Sequence, residues 1–145
     1  MRMSASLHDM IRAVAESLLK ELVGGTLASV VFVMDYVQLD FNGARFTAYV
    51  WPTVTIGTTQ RDFGDRGYRH AHCAFITHEV TAAEEGADVG LAIQFALGSI
   101  VTNPDPGDLS GPEIAMLNIR DSMHQTTRWD LWRPGEGPFA GRDWS

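Results

Sequence analysis

A short cluster of metal-ligand residue types lies in the middle of the chain. His70, His72 and Cys73 fall within four positions of one another, and imidazole and thiolate are ligands that zinc prefers. On a helix, successive residues are about 100° apart, so His70 and His72 diverge by about 160° and only His70 and Cys73 remain neighbours. Since zinc needs three or four converging ligands, the sequence predicts neither a metal site nor a cofactor. His72 is interpreted as a hydrogen-bonded histidine on the apolar side of the helix.

Four polar residues are candidates for binding a ligand: Asp35, Tyr36, Glu113 and His124. Asp35 and Tyr36 interrupt a long apolar run, so they form either a bend or a polar group presented into a cleft. Glu113 either closes a capping box that begins at Ser110 or pairs with His124 for acid–base chemistry. Because nothing in the sequence brings Glu113 and His124 within hydrogen-bond reach, no catalytic residue is assigned.

The sequence lacks the motifs of two common kinds of catalytic site. No Gly-x-Ser-x-Gly occurs, so a serine nucleophile of the triad type has no support. The glycine-rich stretches at 86–90 and 135–137 lack the lysine and the strand–helix context of a phosphate-binding loop.

Tryptophan and arginine, which are enriched at protein interfaces, lie at the ends of predicted strands. The candidate interface residues are Trp51, Trp129, Trp132 and Arg133. The alternative is that these tryptophans cover the open ends of a small core.

The elements that must position these residues begin with a helical pattern. Apolar residues at three- and four-residue steps predict a helix over 7–22, which ends at the glycines of 24–25. Residues 27–34 are apolar on both faces and predict a central strand. Asn42 and Gly43 then predict a tight hairpin turn between two alternating strands.

The second half of the chain starts with a short helix predicted over residues 65–76. Residues 91–95 and 99–102 follow as strands, and 126–132 is a last strand before an irregular tail. The stretch 112–119 is open between a turn of helix and a strand.

Two stretches of the chain, about 5–56 and 65–103, repeat the same order of patterns. Each gives a helix end, a strand, a break, a strand, a glycine turn and a return strand. The repeat predicts an α+β fold, with a mostly antiparallel, curved sheet built from two helix-strand-strand-strand units. Both helices are expected to pack on one face of this sheet. We expect a single domain over 1–145, with the C-terminal strand and tail in 104–145.

Composition excludes several classes of protein. With 145 residues, 45% apolar and 20% charged, the chain has the composition of one globular domain. A net charge of −7 argues against nucleic acid as a partner, since phosphate binding needs a cationic surface. The longest apolar run, 27–34, is too short to cross a membrane. Cys73 is the only cysteine, and the first nine residues do not have the pattern of a signal peptide. A cytoplasmic location is therefore expected.

Three segments carry a resemblance to a known group of proteins: Val33–Phe41, Gly111–Asn118 and Trp132–Glu136. Together they resemble a family of small acidic bacterial hypothetical proteins without an established activity. In size, acidity and two-unit layout the chain is also loosely similar to immunity-type proteins, which neutralise bacterial toxins. The resemblance implies no catalytic residue.

The expected function is a non-enzymatic protein–protein interaction module, immunity-like or a scaffold. A sheet covered on one side leaves a face or an edge exposed, so a homodimer is expected. The alternative is a small-molecule-binding protein or an enzyme with a polar cleft between the two repeats.

Overall fold

The computed structural model describes residues 17–121, 123 and 125–144, and strands dominate this part of the chain. One antiparallel sheet consists of β1 (Ser29–Phe32), β2 (Val37–Asp40), β3 (Ala44–Ala48), β9 (Ala115–Arg120) and β10 (Thr126–Trp132), in the order β1-β2-β3-β9-β10. The other consists of β4 (Thr53–Ile56), β5 (Thr59–Arg61), β6 (Val80–Gly86), β7 (Gly90–Phe95) and β8 (Gly98–Thr102), in the order β5-β4-β8-β7-β6. We call them the first and the second sheet.

The predicted α+β fold with two packed helices is wrong. The described residues contain one short α-helix, α1 (Tyr68–Cys73), and 3-10 helices at Leu18–Leu22, Pro106–Asp108 and Gly137–Phe139. Positions 7–16 of the first predicted helix lie outside the described residues. Its end, Leu18–Leu22, is a 3-10 helix that buries Leu19 and Leu22. α1 is shorter than predicted because Gly67, at φ 80°, breaks the helical backbone before it.

The internal repeat is also not supported. β1, β2 and β3 form a three-stranded meander in the first sheet, and β6, β7 and β8 form another in the second. The first meander is extended by β9 and β10, whereas the second is extended by β4 and β5. Alternating apolar residues and glycine turns are common to any antiparallel meander, so the similar patterns do not require equivalent units.

The inner faces of both sheets contribute to one hydrophobic core. In the first sheet Phe46 pairs with Leu39 on one side and with Leu117 on the other, and all three are fully buried. In the second sheet Ile100 is flanked by Val54 and Ile93 in the same way. Burying a side chain of this size contributes about 1.5–3 kcal/mol.

The predicted central strand at residues 27–34 is instead an edge strand. β1 has β2 as its only neighbour in the first sheet among the described strands. Val30 and Phe32 pack against the core, whereas Val31 is 40% exposed on the opposite face. The pattern indicated burial on both faces because it contains no charged residue and only one small polar residue, Ser29, although one of its faces meets solvent.

Several local predictions are confirmed. Asn42, at φ 58°, and Gly43, at φ 125°, form the hairpin turn between β2 and β3. Residues 126–132 form the predicted last strand, β10. The open question at 112–119 is settled as strand, since β9 occupies most of it.

The tail that was predicted to be irregular is attached to the core. Phe139, in the last 3-10 helix, is fully buried. The Arg142 guanidinium donates hydrogen bonds to the carbonyls of Pro104 at 2.8 Å and Ala87 at 3.0 Å. In the described part of the chain, no helix has the length and apolar character needed to span a membrane.

Candidate functional site

One end of the first sheet carries a cleft of about 370 Å³. The cleft is lined by Asp35, Tyr36, Tyr49, Ser110, Gly111, Pro112 and Glu113. Three of the four residues that the sequence suggested for ligand binding therefore meet in one place. The fourth, His124, lies outside the described residues.

Asp35 and Tyr36 reach the cleft through the tight turn between β1 and β2. The Val33 N–H donates a hydrogen bond to the Tyr36 carbonyl at 2.9 Å, which closes the turn and leaves Met34 and Asp35 at its corner. The break in the apolar run thus forms a bend and also supplies cleft residues. Within residues 17–121, 123 and 125–144, the structure shows no hydrogen bond to the Asp35 carboxylate. This carboxylate is exposed and available to a ligand.

Tyr49 lines the cleft beside Tyr36, one residue beyond the end of β3. Its backbone N–H donates to the Ile114 carbonyl at 2.8 Å, which holds it next to the segment that leads into β9. The rings of Tyr36 and Tyr49 meet edge to face, with centroids 5.8 Å apart. Burial, followed by the negative charge of Glu113 and by Tyr36, raises the pKa of Tyr49 above its usual value. Tyr49 is therefore a neutral phenol near pH 7.

The third wall of the cleft is the segment from Ser110 to Glu113. The Ser110 hydroxyl donates to the Tyr49 carbonyl at 3.3 Å. The Ile114 N–H donates to the Trp132 carbonyl at 2.8 Å. These bonds lead the chain into β9 instead of a helix, so of the alternatives for Glu113 the capping box with Ser110 is wrong. Glu113 is half-buried in the cleft wall, where its charge acts on Tyr49.

The candidate interface residues are placed in different environments. Trp129 is 63% exposed on β10, and Arg133 just beyond it is also exposed. Trp51 is half-buried and stacks on Phe63 with ring centroids 4.3 Å apart. Trp132 is buried in the core, where its indole N–H donates to the Glu85 carboxylate at 3.4 Å. Trp132 is therefore a core residue, and its place among the interface candidates has to be corrected.

The three residues His70, His72 and Cys73 all lie on α1, but they do not share one environment. His70 and Cys73 are exposed, whereas His72 is fully buried. No three metal-ligand side chains converge among the described residues.

His72 departs from its expected role as a hydrogen-bonded core residue. Neither of its ring nitrogens has a hydrogen-bond partner among the residues that the structure describes. The rings of Tyr68 and Phe32 lie edge-on to it, with centroids at 4.8 Å and 5.4 Å. The Tyr68 hydroxyl donates its hydrogen bond to the Pro52 carbonyl and not to His72. Burial lowers the pKa of His72 from 6.5 to about 4, so the ring is neutral in the folded protein at neutral pH.

Sequence reasoning missed Tyr49 as a cleft residue. A signal was present, because Ala48 lies on the inner face of β3 and its neighbour Tyr49 must then point outward. The approach of residues 110–113 to this strand depends on the pairing of β3 with β9, which are distant in sequence.

Comparison with protein-family models, curated proteins and solved structures gave no match to this chain.

Proposed function

We propose that this chain is a non-enzymatic protein–protein interaction module that binds a cationic side chain of its partner in the cleft. The observation that carries the proposal is the convergence of two carboxylates, Asp35 and Glu113, with the rings of Tyr36 and Tyr49. A lysine or arginine side chain fits this combination better than an anion or a purely apolar group.

The charge of the cleft selects a cation. Among the seven described lining residues, Asp35 and Glu113 are acidic and none is lysine, arginine or histidine. A guanidinium or ammonium group donates charge-assisted hydrogen bonds to carboxylates. The net charge of −7 adds long-range attraction for a basic partner and accelerates its association.

The two tyrosines supply a second contribution. The face of a tyrosine ring attracts a cation, with a stabilisation of about 0.5–1 kcal/mol at an exposed site. Tyr49 is neutral near pH 7, so the wall beside Glu113 carries a phenol and its aromatic ring. Arginine is favoured over lysine, because its planar group can stack on a ring while it also donates to a carboxylate.

The surroundings of the cleft favour a protein as the bearer of the cation. Met34, which directly precedes Asp35, is 88% exposed, and Val33 before it is 36% exposed. Exposed apolar side chains beside a polar pocket are typical of protein interfaces, and methionine is enriched there. A small cationic molecule is the second candidate ligand, since about 370 Å³ lies in the range of small-molecule sites.

Three related expectations extend this proposal. A second copy of the chain is the other candidate protein partner, and light scattering on the purified protein would detect a homodimer. The resemblance to small acidic bacterial proteins, including immunity-type proteins, fits a module that captures a basic partner. A cytoplasmic location accords with a single cysteine, Cys73.

A titration with two short peptides tests the proposed function. Acetyl-Gly-Arg-Gly-amide should bind weakly, and acetyl-Gly-Gln-Gly-amide should not bind. Neutralising both carboxylates in Asp35→Asn/Glu113→Gln should weaken arginine peptide binding roughly tenfold, since each exposed ion pair contributes about 0.2–1 kcal/mol. Raising the salt concentration from about 0.05 to 0.5 M should also weaken the binding of the arginine peptide to the parent protein.

The matched control is Glu84→Gln, because Glu84 is an exposed carboxylate on β6 in the second sheet. Like each single cleft variant, it removes one negative charge, but it does not touch the cleft. If Glu84→Gln weakened the binding of the arginine peptide as much as each single cleft variant does, only the overall charge of the protein would matter for binding. That result would contradict the proposed function.

A further inference from the structure

The first sheet ends in the edge strand β1, whose own residues carry few of the features that usually protect an edge. α1 packs against β1, and Leu27, just before the strand, is already paired with Thr77 and His78. Its residues, Ser29 to Phe32, include no charge and no proline, and the pairing of β1 with β2 has no register shift. Native edges are normally blunted by charges, prolines, bulges or a covering element, because an exposed edge can pair with another chain.

The other sheet edges carry such features. β10 has a register shift between Thr126 and Arg128, and Arg128 forms an ion pair with Glu21 at 2.9 Å. β6 has a register shift after Val80. β5 is only three residues long and ends in Arg61. Among the described edges, β1 is thus the one best suited to accept a further strand.

The hydrogen-bond pattern shows which main-chain groups of β1 point outward. Val33 bonds to Tyr36, so Val33 belongs to a hydrogen-bonded pair across the turn. Such pairs alternate along an antiparallel ladder, which turns the main-chain groups of Val31 toward β2 and those of Val30 and Phe32 away from it. Within residues 17–121, 123 and 125–144, no hydrogen bond to these outward groups is present.

One wall of the acidic cleft, Asp35, lies in the turn at the end of this edge, and the rest of the cleft extends across the neighbouring ends of β2, β3 and β9. β1 runs toward the turn that carries Asp35, so a strand added along β1 has one of its ends beside Asp35. Its outward side chains would lie next to Val31 and Val33, which are 40% and 36% exposed. Antiparallel pairs are the more common and the more stable kind, so the end beside Asp35 is the N-terminal end of the added strand.

We propose that an extended segment of a basic partner protein adds to β1 as a sixth, antiparallel strand, with one or two arginines just before the strand placed at Asp35 and in the cleft. This rests on the proposed function for the role of the cleft. Charge complementarity identifies the occupant, because two copies of a chain with a net charge of −7 repel each other. The paired segment has apolar side chains at the alternate positions next to Val31 and Val33.

Synthetic peptides test the proposal. The probe is a nonapeptide in which two arginines precede seven alternating valine and threonine residues. The comparison peptides carry two glutamates in place of the arginines, or the two arginines at the C-terminus. Two further peptides carry N-methyl groups on every second amide. One peptide is methylated at one alternating set of amides and the other at the remaining set, and these are the two N-methylated phases. Only one of the two sets faces β1 and donates hydrogen bonds to it.

The probe should bind the full chain and slow the amide exchange of Val30 and Phe32 at least about tenfold. One N-methylated phase should bind at least about tenfold more weakly than the other, because its methyl groups replace the strand hydrogen bonds. The glutamate peptide should not bind, and the C-terminal arginine peptide should bind several-fold more weakly. Val31→Lys, which adds an edge lysine at an exposed position, should abolish binding, whereas Thr127→Lys on the exposed part of β10 should not.

The outcomes separate this inference from the proposed function. If both N-methylated phases bind as well as the probe while Asp35→Asn weakens all three, the cleft binds arginine and strand addition is wrong. If the phases differ but Asp35→Asn and Glu113→Gln change nothing, both the cleft assignment and the stated placement of the arginines are wrong.

Three other results would also overturn strand addition by a basic partner. The amides of Val30 and Phe32 could prove protected before any peptide is added, which would show an edge already covered by the chain itself. Light scattering could show a dimer that Val31→Lys dissociates, which would identify a second copy as the occupant. The third is the absence of binding by every peptide at about 1 mM.

Discussion

Replacing His72 with phenylalanine should stabilise the protein and reduce its sensitivity to acid. His72 is fully buried on α1, and in the described part of the chain neither ring nitrogen has a hydrogen-bond partner. A buried polar group without a partner costs about 1–3 kcal/mol. Phenylalanine keeps a planar ring against Phe32 and Tyr68 and removes that cost. We expect the free energy of unfolding near pH 7 to rise by about 1–3 kcal/mol.

The pH dependence gives a sharper magnitude. The pKa of His72 falls from 6.5 to about 4 on folding, so between these values the unfolded chain binds a proton that the folded chain does not. Above about pH 6.5 the proton on His72 has no effect on the free energy of unfolding. As the pH falls from about 6.5 to about 4, protonation of His72 in the unfolded chain lowers the free energy of unfolding. A difference of about 2.5 pKa units corresponds to about 3 kcal/mol. His72→Phe should lack this loss.

Urea unfolding at a series of pH values measures both effects. The difference in unfolding free energy between His72→Phe and the parent should grow by about 1.4 kcal/mol per pH unit as the pH falls from about 6.5 to about 4. His70→Gln is the control, since His70 is exposed on the same helix. A difference that stays constant over this range would refute the account of His72. So would a variant destabilised by several kcal/mol at neutral pH, because that would reveal a lost hydrogen bond.

Two further predictions concern packing. Gly98→Ala should destabilise the second sheet by more than about 2 kcal/mol in urea unfolding, because a Cβ there would overlap the Thr55 carbonyl on β4. Gly141→Ala, where a Cβ meets nothing within 4 Å, should change little, and equal effects of the two would contradict this packing. Trp132→Ala should cost about 3–5 kcal/mol, whereas the exposed Trp129→Ala should stay within about 0.5 kcal/mol. A large loss in Trp129→Ala alone would reverse the assignment of core and surface.

Local sequence signals predicted the turns and several strands well. Asn42 and Gly43 give the hairpin because both adopt positive φ at low cost. The interruption at Asp35 and Tyr36 was informative, since two polar residues after an apolar strand must leave the core. These residues and Glu113 meet in the cleft, so three of the candidate positions were brought together by the fold.

The partition of the strands into two sheets was not predictable in the same way. The pairing of β3 with β9 joins residues about seventy positions apart, and no local pattern encodes such a pair. The position of β1 within its sheet was not predictable either, because an apolar strand at an edge has the same sequence pattern as one at the centre. Trp132 is buried because its side chain lies on the inner face of β10. The alternation of residues along a strand does not show by itself which of the two faces is the inner one.

The most direct test of the central claim is an NMR titration of isotope-labelled protein with acetyl-Gly-Arg-Gly-amide. The claim requires the amide shifts that change with peptide concentration to concentrate at residues 35–36, 49 and 110–113, with aromatic shifts of Tyr36 and Tyr49. Changes spread evenly over the acidic surface, or none up to about 10 mM peptide, would contradict recognition of a cationic side chain by this cleft.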